Sequence, residues 1–335
     1  MTTATKFADL KAKAHAEGVK AWADGDPVCP YASADLAAAW RDGWNGAQAH
    51  AVKGRHFTVP TEDGVFRDVP DTVYHSDRDS LSSTGAKTIL EPGGPAKLRF
   101  GRRKESTAFD VGHAVHTAVL GEGEVFVDSG FDSWTTKDAK ARVAEIREAG
   151  KIPLKPEQYR DVTNMADAVR THPLAEVLFA DGVAEQSIWV HDPDTGARVR
   201  CRPDWHVAST FVDLKTAADP GRFDRSIEDY SYHLSAAFYL HAAQCAGLTV
   251  DSFFLVAVGK EPPHLVDVCE ISPADLSIGR ELTRSAIDLW AHCRTTDTWP
   301  GLPETLRVAQ LPERVRFRAD AAITRARTTI ERNHR

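Results

Sequence analysis

The hydrophobic and polar positions of this chain change period along its length. From Thr5 to Asp24 and from Ser33 to His50 the apolar residues recur at helical spacing, separated by the two-proline turn GDPVCPY. Residues 49–73 have no period and carry Gly and Pro, which reads as a linker. Helical text returns at Gly85–Leu90, broken by EPGGPAKLRF. It resumes at Phe109–Leu120 (FDVGHAVHTAVL), 135–149 and 156–180. The pattern then shortens to alternation. Glu185–His191 (EQSIWVH) predicts a strand, DPDTG a turn, and 198–216 two short strands. A helix over Ile227–Cys245 leads to the apolar run DSFFLVAVG (251–259), a buried strand. HLVDVCEI (264–271) predicts another strand, and a helix capped at Ser272 runs to His292.

This order predicts four segments: a helical hairpin over 1–48, the linker 49–73, a main domain over 74–312 and a basic tail over 313–335, either a frayed helix or a coil. In the main domain, helices followed by a strand meander, a helix and more strands give a mixed α/β sheet flanked by helices.

Composition removes several classes. With 335 residues the chain can bury a full core, and its 42% hydrophobic and 27% charged content is that of a globular protein. No apolar run approaches the ~20 residues that span a bilayer, so no membrane partner is expected. The N-terminus lacks the apolar core of a signal peptide, so the expected location is cytoplasmic. Five scattered cysteines without a C-x-x-C argue against zinc, iron–sulfur and disulfide frameworks. A net charge of −7 excludes a protein that coats nucleic acid, though not an enzyme with a local basic groove.

The densest chemistry lies in RVRCRPDWHVASTFVDLKT (198–216). Residues two apart in a strand share a face, so Asp213 and Lys215 project together with the Leu214 carbonyl between them. Asp204 precedes them by nine residues. Two carboxylates and a lysine at a strand end suit metal-assisted phosphodiester hydrolysis. Carboxylates are hard ligands for Mg²⁺, with Mn²⁺ as a substitute, and a lysine can position water or offset phosphate charge. Asp-x-Lys also occurs at Asp9–Lys11 and Asp138–Lys140, in helical text where the pair is a solvated face. A surface ion pair is the competing reading of the third triplet too.

Four features follow in order: Gly112-His113-Ala114-Val115-His116, Glu185, Arg202-Pro203-Asp204, and Val212-Asp213-Leu214-Lys215-Thr216, with DYSYHLSAAFYLHAA directly after. With YHSDRDSLSSTGAKTIL and GPAKLRF upstream, this order resembles the PD-(D/E)xK nuclease superfamily, and within it the RecE-type exonucleases (exodeoxyribonuclease VIII), from about Tyr74 to Pro312. The resemblance implies a PD-(D/E)xK core in which Asp204, Asp213 and the Leu214 carbonyl bind metal. Lys215 matches the catalytic lysine, and His116 matches a metal-binding histidine. Glu185 reads equally as a metal ligand or an edge-strand charge. His113 shares a helix face with His116 and reads as structural.

The resemblance also implies a Mg²⁺-dependent exonuclease that digests duplex DNA from its ends, 5′ to 3′, leaving single-stranded tails for recombination. It further implies a ring-shaped homo-oligomer and a single-strand annealing protein as partner. The chain departs from the family on the last helix. Tyr239 is present, but Ser235 stands where the family has Gln, and a serine cannot make the same two-sided hydrogen bonds. Tyr239 and Ser235 are thus the DNA-facing candidates of that helix. Tyr230, Tyr232 and His233 could stack on bases but read first as packing residues. For backbone contact the candidates are Arg198, Arg200 and Arg202, and the cluster Lys97, Arg99, Arg102, Arg103 and Lys104.

Residues EGVKAWADGDPVCPY and LAAAWRDGWNGA resemble ribosome modulation factor, which implies RNA or ribosome contact through 1–48; a self-packed hairpin is the alternative. Two further readings stay open: a non-catalytic nucleic-acid or ribosome adaptor on a nuclease scaffold, and a PD-(D/E)xK endonuclease.

Overall fold

Alternation along one strand divides the interior. In Thr210–Ala217, Phe211 and Ala217 enter one apolar cluster while Val212 and Leu214 enter another on the opposite face. The parallel neighbour Ser252–Gly259 repeats the division. Its Phe253, Leu255 and Ala257 join the first cluster, and Val256 and Val258 the second.

The computed structural model describes residues 57–102, 109–121, 123 and 125–333, with isolated helical positions at 13, 16 and 20. The expected hairpin over 1–48 otherwise lies outside the described residues, as do Arg103 and Lys104. The chain divides into two units, 1–300 and 301–335. The first carries β1 (Gly64–Phe66), α1 (Asp71–Ser76), α2 (Ser83–Leu90), α3 (Gly94–Phe100), α4 (Phe109–Leu120), β2 (Phe126–Asp128), α5 (Lys137–Glu148), β3 (Ile152–Leu154), α6 (Pro156–Thr171) and α7 (Pro173–Leu178). It continues with β4 (Val183–Ala184), β5 (Ser187–His191), β6 (Arg198–Cys201), β7 (Trp205–Val207), β8 (Thr210–Ala217), α8 (Phe223–Asp229), α9 (Tyr232–Cys245), β9 (Ser252–Gly259), β10 (Val266–Glu270) and α10 (Pro273–Thr296). The second unit carries α11 (Glu313–Asn333), a helix rather than a coil. No described helix is long and apolar enough to cross a membrane.

The main sheet has the order β10-β9-β8-β7-β4. Only β8 and β9 run parallel, and α8 and α9 supply the crossover that such a pair needs. A second sheet, β1-β5-β6, is antiparallel, and β2 pairs with β3. Helices α2, α9 and α10 cover one face of the main sheet; α4, α6 and α7, with β3, cover the other. Helix α10 lies very close to α9. A Cβ on Gly279 would fall 2.3 Å from the carbonyl oxygen of His233. Ser272 caps α10 as expected, accepting from the Asp275 amide at 3.1 Å.

Several boundaries differ from the sequence reading. The stretch 57–73 is no linker. Val65 pairs with Ile188, Val69 packs with Tyr74 and Trp189, and Asp63 bonds both the amide and the ring of His191. A three-residue strand is too short to show a period. The predicted strand Glu185–His191 starts only at Ser187; Glu185, whose φ of 49° is left-handed, lies in a bend between β4 and β5. The predicted helix Ile227–Cys245 breaks at Ser231, φ 50°, into α8 and α9.

Candidate active site

The carboxylates are assembled by backbone hydrogen bonds between the start of β7 and the middle of β8. Trp205 pairs with Val212, which sets Asp204 opposite Asp213. The Asp204 amide donates to Asp213 Oδ1 at 3.4 Å, and the Leu214 amide donates to Asp204 Oδ2 at 2.7 Å. Lys215 then closes the cluster. Its Nζ lies 3.0 Å from Asp213 Oδ2, 3.4 Å from Asp204 Oδ2 and 3.1 Å from the Leu214 carbonyl oxygen. Asp213 and Lys215 therefore do share a face, with the Leu214 carbonyl between them.

Two further residues arrive from distant elements. Helix α4 brings His116, whose Nδ1 is 3.6 Å from Asp204 Oδ2. The left-handed turn at Glu185 lets its amide donate to the Asp204 carbonyl at 3.1 Å, which ties the two acidic residues together. A non-glycine residue held in this region costs about 1–3 kcal/mol, the kind of strain concentrated at functional sites. Ligand atoms of His116, Glu185 and Asp204 all lie within 4.8 Å of one another. Asp213 is not part of that group; its carboxylate faces Lys215 and the Asp204 amide.

The electrostatics follow from burial and crowding. Burial, then the Asp204 charge, pushes the Glu185 carboxyl well above its usual range. The same two causes raise Asp213, against the pull of Lys215. Burial pulls the Lys215 ammonium down, but Asp204 and Asp213 outweigh it and hold it above the ordinary lysine range. Burial lowers His116, which leaves its ring neutral and able to ligate. Lys215 brings one positive charge to a set of three acidic groups and a neutral imidazole, so the acidic charge is only partly offset. An oxygen-rich donor set with one imidazole fits a hard divalent ion. The residues present therefore fit a metal at His116, Glu185 and Asp204.

The proposed DNA contacts fare differently. Arg200 and Arg202 are not free to meet a phosphate backbone. Arg200 is 7% exposed, donates to the Ser80 carbonyl at 2.6 Å and pairs with Asp77 at 3.5 Å. Arg202 is 9% exposed and bonds Ser187 Oγ, the Val69 carbonyl and Asp71. Both guanidinium groups stack on the Tyr74 ring, at 5.2 and 4.3 Å. They hold α1 to the second sheet. Arg198 is likewise turned inward, bonding the Pro60 carbonyl. Ser235 is buried and does not present its hydroxyl as a DNA contact; Tyr239 packs edge-on against Phe253 at 5.8 Å, and burial, then the Asp213 charge, pushes its hydroxyl well above the ordinary tyrosine range. In the other basic cluster, Lys97 pairs with Glu91 and Arg99 lies over Trp299.

Reading the sequence does not single out Lys87, a residue of α2. Its Nζ lies 5.4 Å from the centre of the Tyr232 ring, and Lys215 Nζ lies 5.9 Å from the same centre. Burial, reinforced by Lys215, pushes Lys87 down to about 8. No signal in Gly85–Leu90, where Lys87 stands beside Thr88, sets it apart from a surface lysine.

Comparison with known proteins places this geometry. The profile of the PDDEXK-like domain of unknown function (DUF3799) matches residues 93–311, well over half of the chain. Among solved structures, a candidate exonuclease from Eubacterium rectale superposes with a TM-score of 0.51 at 14% identity, covering 74% of this chain and 96% of the other. A phage-related exonuclease from Haemophilus somnus 129PT matches with a TM-score of 0.30 at 10% identity, over 65% of this chain and 96% of its own. No curated protein matches the chain. With its mixed sheet flanked by helices and its acidic cluster at the start of β7 and the middle of β8, the chain belongs to the DUF3799 family of PDDEXK-like domains.

Proposed function

We propose that the protein is a divalent-metal-dependent DNA exonuclease, with Mg²⁺ as its ion and Mn²⁺ as a substitute. The carrying observation is the convergence of His116, Glu185 and Asp204 within 4.8 Å beside the Asp213–Lys215 pair. The fold shared with the Eubacterium rectale protein, described as an exonuclease, supports the same reading.

His116, Glu185 and Asp204 would hold the metal. When bound, it supplies Lewis-acid charge to the phosphate and acidifies water. Asp213 holds the Lys215 ammonium against the Leu214 carbonyl, so the lysine carries a fixed positive charge at the reacting phosphate. A lysine held protonated acts as an electrostatic stabiliser and donor, not as a base. Burial of the cluster strengthens each of these interactions.

The likeness to RecE-type exonucleases over Tyr74–Pro312 supports the finer reading. In it the substrate is the end of duplex DNA, digestion runs 5′ to 3′, and the products are nucleotides and a single-stranded tail for recombination. The same likeness supports a homo-oligomeric ring and an annealing partner.

The test uses linear and covalently closed circular duplex DNA with Mg²⁺, EDTA controls and Lys215→Ala, each linear strand labelled at its end. Loss of linear DNA from its ends, absent with EDTA and with Lys215→Ala, is expected. Cutting of closed circles would replace the exonuclease with an endonuclease. Intact linear DNA with wild type in both Mg²⁺ and Mn²⁺ would refute the catalytic reading and favour a binding role.

A further inference from the structure

We propose that Lys87 and Tyr232 form a phosphate seat beside the carboxylate centre, which holds a nucleic-acid backbone phosphate adjacent to the one being cleaved. The inference rests on the nuclease reading for its placement on substrate, but its physical basis is separate.

Lys87 is a half-buried cation with no carboxylate at ion-pair distance among the described residues. Among the described residues it makes no hydrogen bond and no ion pair; its ammonium lies over the Tyr232 ring, repelled by the Lys215 charge and attracted less strongly by Asp213. The face of an aromatic ring attracts an ammonium, but it does not replace the water hydrogen bonds that partial burial removes. The other lysine at this ring, Lys215, is fully satisfied by Asp213, Asp204 and the Leu214 carbonyl. The two ammonium groups thus approach one ring at 5.4 and 5.9 Å, and only one has its counter-charge. Burial and the Lys215 charge both disfavour the charged form of Lys87. An incoming anion would relieve both.

The position also selects the anion. Lys87 is held by a helix with one buried side: Ser83, Gly85, Ala86 and Ile89 are buried, and Ser82 caps the start. Its ammonium is therefore placed by a rigid element. Tyr230, 61% exposed, lies 5.7 Å from Tyr232 and extends the aromatic surface outward from the lysine. A phosphate on Lys87 with a base or sugar against Tyr230 matches a polynucleotide strand, whose charges and flat groups alternate. A free carboxylate would use the lysine but not the ring surface.

The experiment measures binding of a short fluorescein-labelled DNA duplex by anisotropy, with Ca²⁺ replacing Mg²⁺, for wild type, Lys87→Met and Lys87→Arg over a series of salt concentrations. Loss of one charge-assisted contact predicts binding about tenfold weaker for Lys87→Met. The salt slope should fall by about 0.9, the loss of one phosphate contact. Lys87→Arg should restore both. A thermal melt of Lys87→Met at or above that of wild type would show that the fold is kept. Lys87→Met within twofold of wild type, an unchanged salt slope, failure of Lys87→Arg to rescue, or no binding by wild type would each overturn the seat. Cleavage by wild type in Mg²⁺, measured in parallel, tests the nuclease reading separately. Absent cleavage with Lys87-dependent binding refutes only the enzyme, and cleavage with Lys87-indifferent binding refutes only the seat.

Discussion

A buried ion pair away from the candidate active site should give the stability of the fold an acid limit. Asp192, in the turn after β5, is fully buried. Arg284 of α10 forks its carboxylate at 2.8 and 3.0 Å, His241 of α9 meets it at 3.0 Å, and the amide and hydroxyl of Thr195 donate at 3.0 and 2.7 Å. The carboxyl is held well below its ordinary range. Burial alone would raise it, but the Arg284 and Thr195 hydrogen bonds and the Arg284 charge prevail. Breaking a buried pair costs about 3–5 kcal/mol, because the partner is left uncompensated. Here Arg284 keeps Asp194 at 3.3 Å and Asp288 at 2.9 Å and is itself 32% exposed, so the lower end applies.

Asp192→Asn should therefore lose about 3 kcal/mol, or roughly 6–12 °C in Tm for a body of this size. Since the folded-state value is depressed, the contribution is complete above the unfolded value of about 4 and disappears as pH falls through the folded value. Thermal melts across the acid range should show a steep fall for wild type and a shallower one for Asp192→Asn. A Tm loss under about 2 °C, or identical acid slopes, would refute the assignment. None of the partners of Asp192 belongs to the carboxylate centre, so cleavage below the melting range should be unchanged.

Other predictions concern the site and its frame. Lys215→Ala should cut DNA cleavage by about a thousandfold in a gel assay, the scale of losing one preorganised stabiliser of transition-state charge. Glu185→Gln should match or exceed wild-type stability in EDTA, because it removes a buried acid crowded by Asp204, yet gain less Tm on adding Mn²⁺; an equal gain would place the metal elsewhere. Arg202→Ala should lower stability by about 3 kcal/mol in denaturant melts and leave the salt slope of DNA binding unchanged, since its charge is spent on Asp71 and the Val69 carbonyl.

How much of this was legible in the sequence depends on which physical question each residue posed. The period-two pattern around Asp213 gives the direction of a side chain, and Asp213 and Lys215 do meet at 3.0 Å. The same pattern also placed Arg198, Arg200 and Arg202 on one face correctly. It could not reveal that this face is covered, because the cover comes from Pro60, Asp71, Tyr74 and Ser80, which lie far upstream in text that reads as linker and loop. Periodicity describes one strand, whereas burial is a property of what folds onto it.

Glu185 illustrates the opposite case. Its sequence context, an acidic residue entering EQSIWVH, supports a continuous strand, and in a continuous strand its orientation would follow the alternation of its neighbours. The left-handed φ of 49° interrupts that alternation and turns its backbone amide to the Asp204 carbonyl. A local rule fails here because the carboxylate cluster imposes a conformation that the residue does not favour by itself. Lys87 was missed for a related reason: nothing in Ala86-Lys87-Thr88 differs from an ordinary surface lysine until α9 brings Tyr232 beneath it. Where direction follows from a single strand, as for Asp213 and Lys215, the side chains point as the alternation indicates. Residues whose roles arise where two elements meet required the fold, and at this site those are Glu185, Arg202 and Lys87.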